Sequence, residues 1–181
     1  SLRRQRQMCI RDRIKSSNKI NGYYWNPEKE IIDLECFKDV DTIINLAGSN
    51  IAKRWSRSNK LKILKSRTQS LNLLKESILK NNLNIKKIIS ASAIGIYPSS
   101  FDRVYTENTN LISSSFLGKV VREWELAVNS FNDLKIEIAI VRIGLVLSKD
   151  GGILSKSLFP IKFGVGSFFG SGMQWLSLIH I

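Results

Sequence analysis

Two hydroxyls two residues apart, Ser90 and Ser92, close the apolar run 85–89 in the segment Ser90-Ala91-Ser92-Ala93-Ile94-Gly95-Ile96-Tyr97. Residues two apart on an extended chain face the same side. A serine hydroxyl held there can hydrogen-bond a carbonyl and polarise it during hydride transfer. Ser92 is the candidate for that role, and a plain strand terminus is the alternative. Tyr97 could supply a proton if a nearby cation lowered its intrinsic pKa of about 10, but the sequence shows no such partner. Upstream, Asn45-Leu46-Ala47-Gly48 ends another apolar run by joining a polar side chain to a residue without Cβ. Gly48 would let a ligand approach the backbone, and Asn45 could tie neighbouring strands. A strand-to-loop turn without a ligand fits these four residues equally well. Arg142, Ile143 and Gly144 repeat the pattern, with Arg142 either a ligand contact or an ion-pair partner.

The elements that must position these residues alternate. A short strand at 23–25 stops at Asn26-Pro27, and a buried strand is predicted over 42–46. Ser56 or Ser58 can cap a helix running to about Asn81, with Leu61, Leu64, Thr68, Leu71, Leu74 and Ile78 on one apolar face. The next strand covers 85–90. A helix starting near 113–115 carries Leu117, Val121, Trp124, Val128 and Phe131 on one stripe, which makes Trp124 a core residue. Residues 136–141 form a further strand. Strands alternating with helices of this length imply an α/β fold with a parallel sheet covered on both faces and its strand C-termini along one edge. Trp55, set among Lys53, Arg54 and Arg57, reads as half-buried at a helix start, with base stacking as the alternative. The glycines at 151, 152, 164, 166, 170 and 172 do not match a phosphate-binding fingerprint and read as a mobile loop.

At 181 residues the chain can build one domain with a real core. Its 28 basic and 15 acidic side chains give a formal charge of +13. Residues 1–20 hold seven of the basic groups against Asp12, and no nucleic-acid-binding module accompanies the rest, so specific nucleic-acid binding is not expected. No apolar run is long enough to cross a bilayer, and the basic start, followed by no apolar h-region, is not expected to act as a secretory signal. Cys9 and Cys36 have no companions that would make a disulfide framework or a metal site. A cytoplasmic setting is the expectation, with an organelle stroma as the alternative. Residues 1–13, SLRRQRQMCIRDR, resemble translated sequencing-adapter sequence, or else a disordered basic tail, and carry no functional argument.

Taken together, these stretches resemble the extended short-chain dehydrogenase/reductase superfamily, and within it the epimerase-family branch. The resemblance runs through Trp25-Asn26-Pro27, 43–48, Ser66-Arg67, 90–97, Thr106-Glu107, Trp124-Glu125, 142–147, Asp150-Gly151-Gly152, 170–175 and 179–181. It implies a Rossmann-type, doubly wound, three-layer parallel sheet with NADP(H), or NAD(H), across the strand ends. By position, Asn45, Leu46, Ala47 and Gly48 would line the cofactor's ribose side, and Ser90, Ala91 and Ser92 would sit near the nicotinamide. Arg142, Ile143 and Gly144 would close the nicotinamide end, while Gln174, Trp175 and His180 would lie towards the substrate. Residues 14–181 are then a partial NAD(P)-binding domain, with 151–181 the start of a substrate-side region.

Two departures from the family pattern qualify this. The glycine-rich phosphate-binding strand and helix are missing before Ile14, so the chain is expected to be a fragment that binds cofactor weakly by itself. Aligning on Glu125 puts Leu117 and Val121 where the superfamily has its catalytic Tyr and Lys. The reading is an NADP(H)-dependent oxidoreductase or epimerase-like protein acting on a small carbonyl or alcohol. A non-catalytic dinucleotide-binding protein is the first alternative and a basic nucleic-acid binder the second. The residues carry no signal of substrate identity or oligomeric state.

Overall fold

The structure, a computed structural model, describes residues 22–147, 158, 160–166, 171–173 and 175–180. The expectations that fall on residues 1–21, Asp150, Gly151, Gly152, Gly170, Gln174 and Ile181 lie outside them. Two compact units are present: the chain through Ala91 with Glu123–Ile140, and Ser92–Arg122 with the chain from Val141 onward.

The first unit begins with a hairpin in which β1 (Trp25–Asn26) pairs antiparallel with β2 (Ile31–Ile32). Asn26 ends the strand because its Oδ1 accepts the N–H groups of Glu28 and Lys29 and caps a 3-10 turn over Pro27–Lys29. The paired strand is therefore Trp25–Asn26 and not the expected 23–25. Strand β3 (Thr42–Asn45) pairs parallel with β4 (Lys87–Ala93), in register from Thr42 opposite Lys87 to Asn45 opposite Ser90. Strand β5 (Glu137–Ile143) lies on the other side of β4, giving the order β3-β4-β5. β4 runs three residues past the expected end, so Ala91, Ser92 and Ala93 belong to the strand.

Helix α1 (Arg57–Lys80) connects β3 to β4 and starts where Ser56 Oγ accepts the Asn59 N–H at 3.2 Å. Its buried face differs from the expected one. Leu61 is 51% exposed, whereas Ile63, Ser70, Leu71, Leu74, Ser77 and Ile78 are buried. The two serines tolerate burial because each hydroxyl donates within the helix, Ser70 to the Arg67 carbonyl at 2.8 Å and Ser77 to that of Leu73 at 2.7 Å. Ile63, Leu71, Leu74, Ile78, Ile88, Val128 and Phe131 are core residues of this unit, and burying side chains of this size stabilises by roughly 1.5–3 kcal/mol each.

In the second unit, β4 ends in a 3-10 turn (Ile94–Ile96), and a loop leads to α2 (Phe116–Asn129), which runs on into the first unit. The Ser113 N–H donates to the Ile96 carbonyl at 2.7 Å, and Ser115 Oγ accepts the Gly118 N–H at 3.1 Å, which sets the start of α2. Strand β6 (Leu145–Leu147) pairs parallel with β7 (Leu178–His180), a pairing of three-residue strands that the sequence did not signal. Part of the region read as a loop is ordered locally: residues 160–162 are helical, and Gly164 takes φ +74° as its N–H returns to the Ile161 carbonyl at 3.0 Å.

Candidate functional site

Asn45, at the C-terminal end of β3, lies opposite Ser90, midway along the neighbouring parallel strand β4. Asn45 Nδ2 donates to Ser90 Oγ at 3.3 Å, and both side chains are buried. The Ser90 hydroxyl donates in turn to the Ala91 carbonyl at 3.1 Å. Asn45 Oδ1 accepts the Ala47 N–H at 3.2 Å, so one amide ties two strands and also shapes the turn after β3. A buried polar pair of this kind costs little while it is satisfied and much when one partner is lost. Leu46, by contrast, is 72% exposed. The strand end therefore presents one exposed apolar side chain, Leu46, on a turn held by Asn45. Ser92 follows on β4 and is also buried, with Ala91 between the two serines.

Arg67, named in the sequence only as part of a matching pair, reaches this strand end from α1. Its Nη1 donates to the Ile63 carbonyl at 2.9 Å, and Nη1 and Nη2 straddle the Ser49 carbonyl at 3.4 Å. The guanidinium carbon lies 5.0 Å from the ring centroid of Trp124. No carboxylate pairs with Arg67 among the described residues, and burial lowers its pKa from the ordinary arginine value. A Cβ built on Gly48 would stand 3.0 Å from the Arg67 guanidinium carbon. The side-chain space missing at Gly48 is thus filled by the protein's own arginine, where the sequence reading had reserved it for a ligand. Glycine types and spacing cannot reveal such a contact, because Gly48 and Arg67 lie 19 residues apart and meet only in the fold.

In the second unit, Tyr97 finds the cation that the sequence did not show. Arg142 Nη1 donates to the Tyr97 hydroxyl at 2.6 Å and to the Glu107 carbonyl at 3.1 Å. Tyr97 donates its own proton to the Thr106 carbonyl at 2.9 Å, and its ring stacks on Tyr105 at 5.1 Å. Arg142 therefore clasps the loop after β4. Gly144 follows on β5's exit, where a Cβ would stand 2.7 Å from the Ser177 carbonyl oxygen; that carbonyl accepts the Leu145 N–H at 2.8 Å and leads into the β6–β7 pair. Ile143 closes β5 beside it.

Of the residues expected on the substrate side, Trp175 is 81% exposed and its Nε1 donates to the Phe101 carbonyl at 3.0 Å. His180 ends β7, and Gln174 lies outside the described residues. Trp55 is half-exposed at the start of α1, with Nε1 donating to the Ile51 carbonyl at 2.9 Å. Leu117 is half-buried and Val121 buried, so both act as packing residues. Among the described residues there is no cluster of metal-ligating side chains, and no helix is long and apolar enough to cross a membrane.

Comparison with known proteins now adds to the geometry. No family model matches the chain. An epimerase family protein of Staphylococcus saprophyticus is 38% identical over 173 residues, which cover 94% of this chain and 56% of that protein. The chain is an epimerase-family homologue. That relationship is consistent with the resemblance to the epimerase branch of the extended short-chain dehydrogenase/reductase superfamily read from the sequence. A nucleoside-diphosphate sugar epimerase from Corynebacterium glutamicum superposes with a TM-score of 0.70 at 28% identity, over 92% of this chain and 34% of that one. A human epimerase family protein, solved with NADPH, superposes with a TM-score of 0.69 at 24% identity, over 96% of this chain and 56% of its own. These neighbours share the Rossmann fold, so β3, β4 and β5 with α1 and α2 are part of a Rossmann-type α/β sheet. The chain spans about half the length of the curated relatives it matches.

Proposed function

We propose that this chain contributes strand-end surface to the nicotinamide-dinucleotide site of an NADP(H)-dependent oxidoreductase or epimerase-like protein acting on a small carbonyl or alcohol. The observation that carries the reading is the buried hydrogen bond from Asn45, at the C-terminal end of β3, to Ser90 on the adjacent parallel strand β4; the C-terminal edge of such a sheet is where open α/β folds bind nucleotides. The human neighbour's NADPH and the names of the epimerase relatives support the cofactor class. The residues present fit such a group. Leu46 gives an exposed apolar surface for a flat ring or ribose, and Asn45 holds the following turn through the Ala47 N–H. When bound, the nicotinamide would supply hydride chemistry, and the protein would supply orientation. Ser92 is the residue we assign to polarising the substrate oxygen, from its place two residues beyond Ser90 on β4. NAD(H) is the alternative cofactor.

A second reading, a dinucleotide-binding protein without turnover, draws on a specific observation. The Tyr97 proton is engaged by the Thr106 carbonyl, and Leu117 and Val121 stand where the superfamily's proton-transfer pair belongs. Full-length protein mixed with NADPH and a panel of aldehydes, ketones and nucleotide sugars decides between the two. Consumption of NADPH that Ser92→Ala reduces by about 100-fold or more supports the enzyme. Tight NADPH binding without consumption favours the second reading, and no binding of either dinucleotide rejects both.

A further inference from the structure

Ser49, just beyond the β3 turn, is held by α1 at both of its backbone groups. Its N–H donates to Ser66 Oγ at 2.9 Å, and its carbonyl lies in the fork of Arg67 at 3.4 Å from each terminal nitrogen. The Ser49 hydroxyl adds contacts to Ser66 Oγ at 3.2 Å and to the Lys62 carbonyl at 3.4 Å. Both Arg67 contacts to Ser49 are long, so the guanidinium straddles the carbonyl. Its short bond goes to Ile63, and its guanidinium carbon lies over the Trp124 ring, 5.0 Å from the centroid. Such a clasp requires two coplanar donors and a flat face to stack, which arginine has and lysine lacks. It also requires an empty position at residue 48, since any Cβ there would press on the guanidinium carbon and both terminal nitrogens at 3.0–3.3 Å.

We propose that Arg67 is a positioning residue that, with Ser66, grips Ser49 and so shapes the Leu46-Ala47-Gly48 turn for a dinucleotide, and that residue 48 is glycine to admit this guanidinium. The inference deepens the proposed function and rests on it for its ligand. Arg67 acts through the turn and does not itself touch the cofactor. Its positive charge, which meets no carboxylate among the described residues, is secondary to the fork geometry.

A double-mutant cycle tests this in full-length protein, read by NADPH affinity and by thermal unfolding in parallel. Arg67→Leu keeps an apolar stem beside Trp124 while deleting the guanidinium. Gly48→Ala should weaken NADPH binding roughly threefold to tenfold alone but less than about twofold in the Arg67→Leu background, because the contact it disturbs is already gone. Arg67→Lys should not restore binding, and Ser66→Ala should weaken it in the same direction as Arg67→Leu. Equal losses from Gly48→Ala in both backgrounds would overturn the proposal, since residue 48 would then serve the ligand directly. Full rescue by Arg67→Lys would also overturn it, making charge and not the fork the working feature. If the parent protein binds neither NADPH nor NADH, the proposed function fails, and the unfolding cycle still decides the Gly48–Arg67 contact. There, non-additive shifts of the melting temperature support the contact and additive shifts reject it.

Discussion

Gly48 and Gly144 look alike in sequence, three and two residues past the polar side chains Asn45 and Arg142 at strand exits, yet the fold fills the two in different ways. At Gly48 the neighbour is the far end of an arginine side chain; at Gly144 it is the backbone carbonyl and hydroxyl of Ser177, at 2.7 and 2.9 Å from a built Cβ. A side-chain tip can move away by rotating its χ angles, whereas a carbonyl that also accepts the Leu145 N–H cannot move without opening the start of the β6–β7 pair. The lesson is that a strand-end glycine is not by itself a vacancy for a ligand. What occupies the missing side-chain volume sets both the cost of a substitution and the meaning of the glycine.

The sharpest break of this comparison is Gly144→Ala, which should destabilise by about 2–3 kcal/mol as overpacking against fixed backbone, read from the urea unfolding midpoint. A loss below that of Gly48→Ala would reverse the ranking. Asn45→Ala comes next. It leaves the fully buried Ser90 hydroxyl without its donor and frees the Ala47 N–H, at an expected cost of about 1–2 kcal/mol. A cost near zero would mean that the strand-end pair contributes nothing to the first unit. Tyr97→Phe in the second unit removes the hydroxyl's bonds to Thr106 and Arg142 but keeps the ring stacked on Tyr105, and should cost about 1 kcal/mol. Smallest is Lys87→Met, which breaks a mostly exposed 3.0 Å pair with Glu137 and should shift stability by no more than about 0.5 kcal/mol.

Much of the fold was legible because it rests on local signals. The α1 start at Ser56, the α2 stripe of Val121, Trp124 and Val128, and the three sheet strands all follow from capping and periodicity. The α1 face was misread because Arg67, Ser70 and Ser77 are polar, and only the completed helix and its neighbours satisfy them. β4 outran its expected end because Ser90, Ala91, Ser92 and Ala93 have the small and polar character of a loop while Ser90 pairs with Asn45 across the sheet. β2 and β7, at two and three residues, are too short to show a period. Within the candidate site, a strand-tying role for Asn45 follows from residue type and strand position, whereas its partner Ser90 emerges only from the register of β3 on β4. The Arg67–Ser49 clasp, the Arg142–Tyr97 contact and the Ser177 carbonyl at Gly144 are not legible in the sequence, since each joins residues that are distant in the chain and meet only after folding.

Whether the C-terminal end of β3 and the adjoining part of β4 form a nicotinamide-dinucleotide site, as proposed, is open to a direct check. That check is a titration of full-length wild-type and Asn45→Ala protein with NADPH and NADH, followed calorimetrically. The wild type is expected to bind saturably and one-to-one, more tightly to NADPH, and the variant to lose about tenfold or more in affinity. Absence of saturable binding of either dinucleotide at millimolar concentration, or identical affinities for the two proteins, would contradict the proposal.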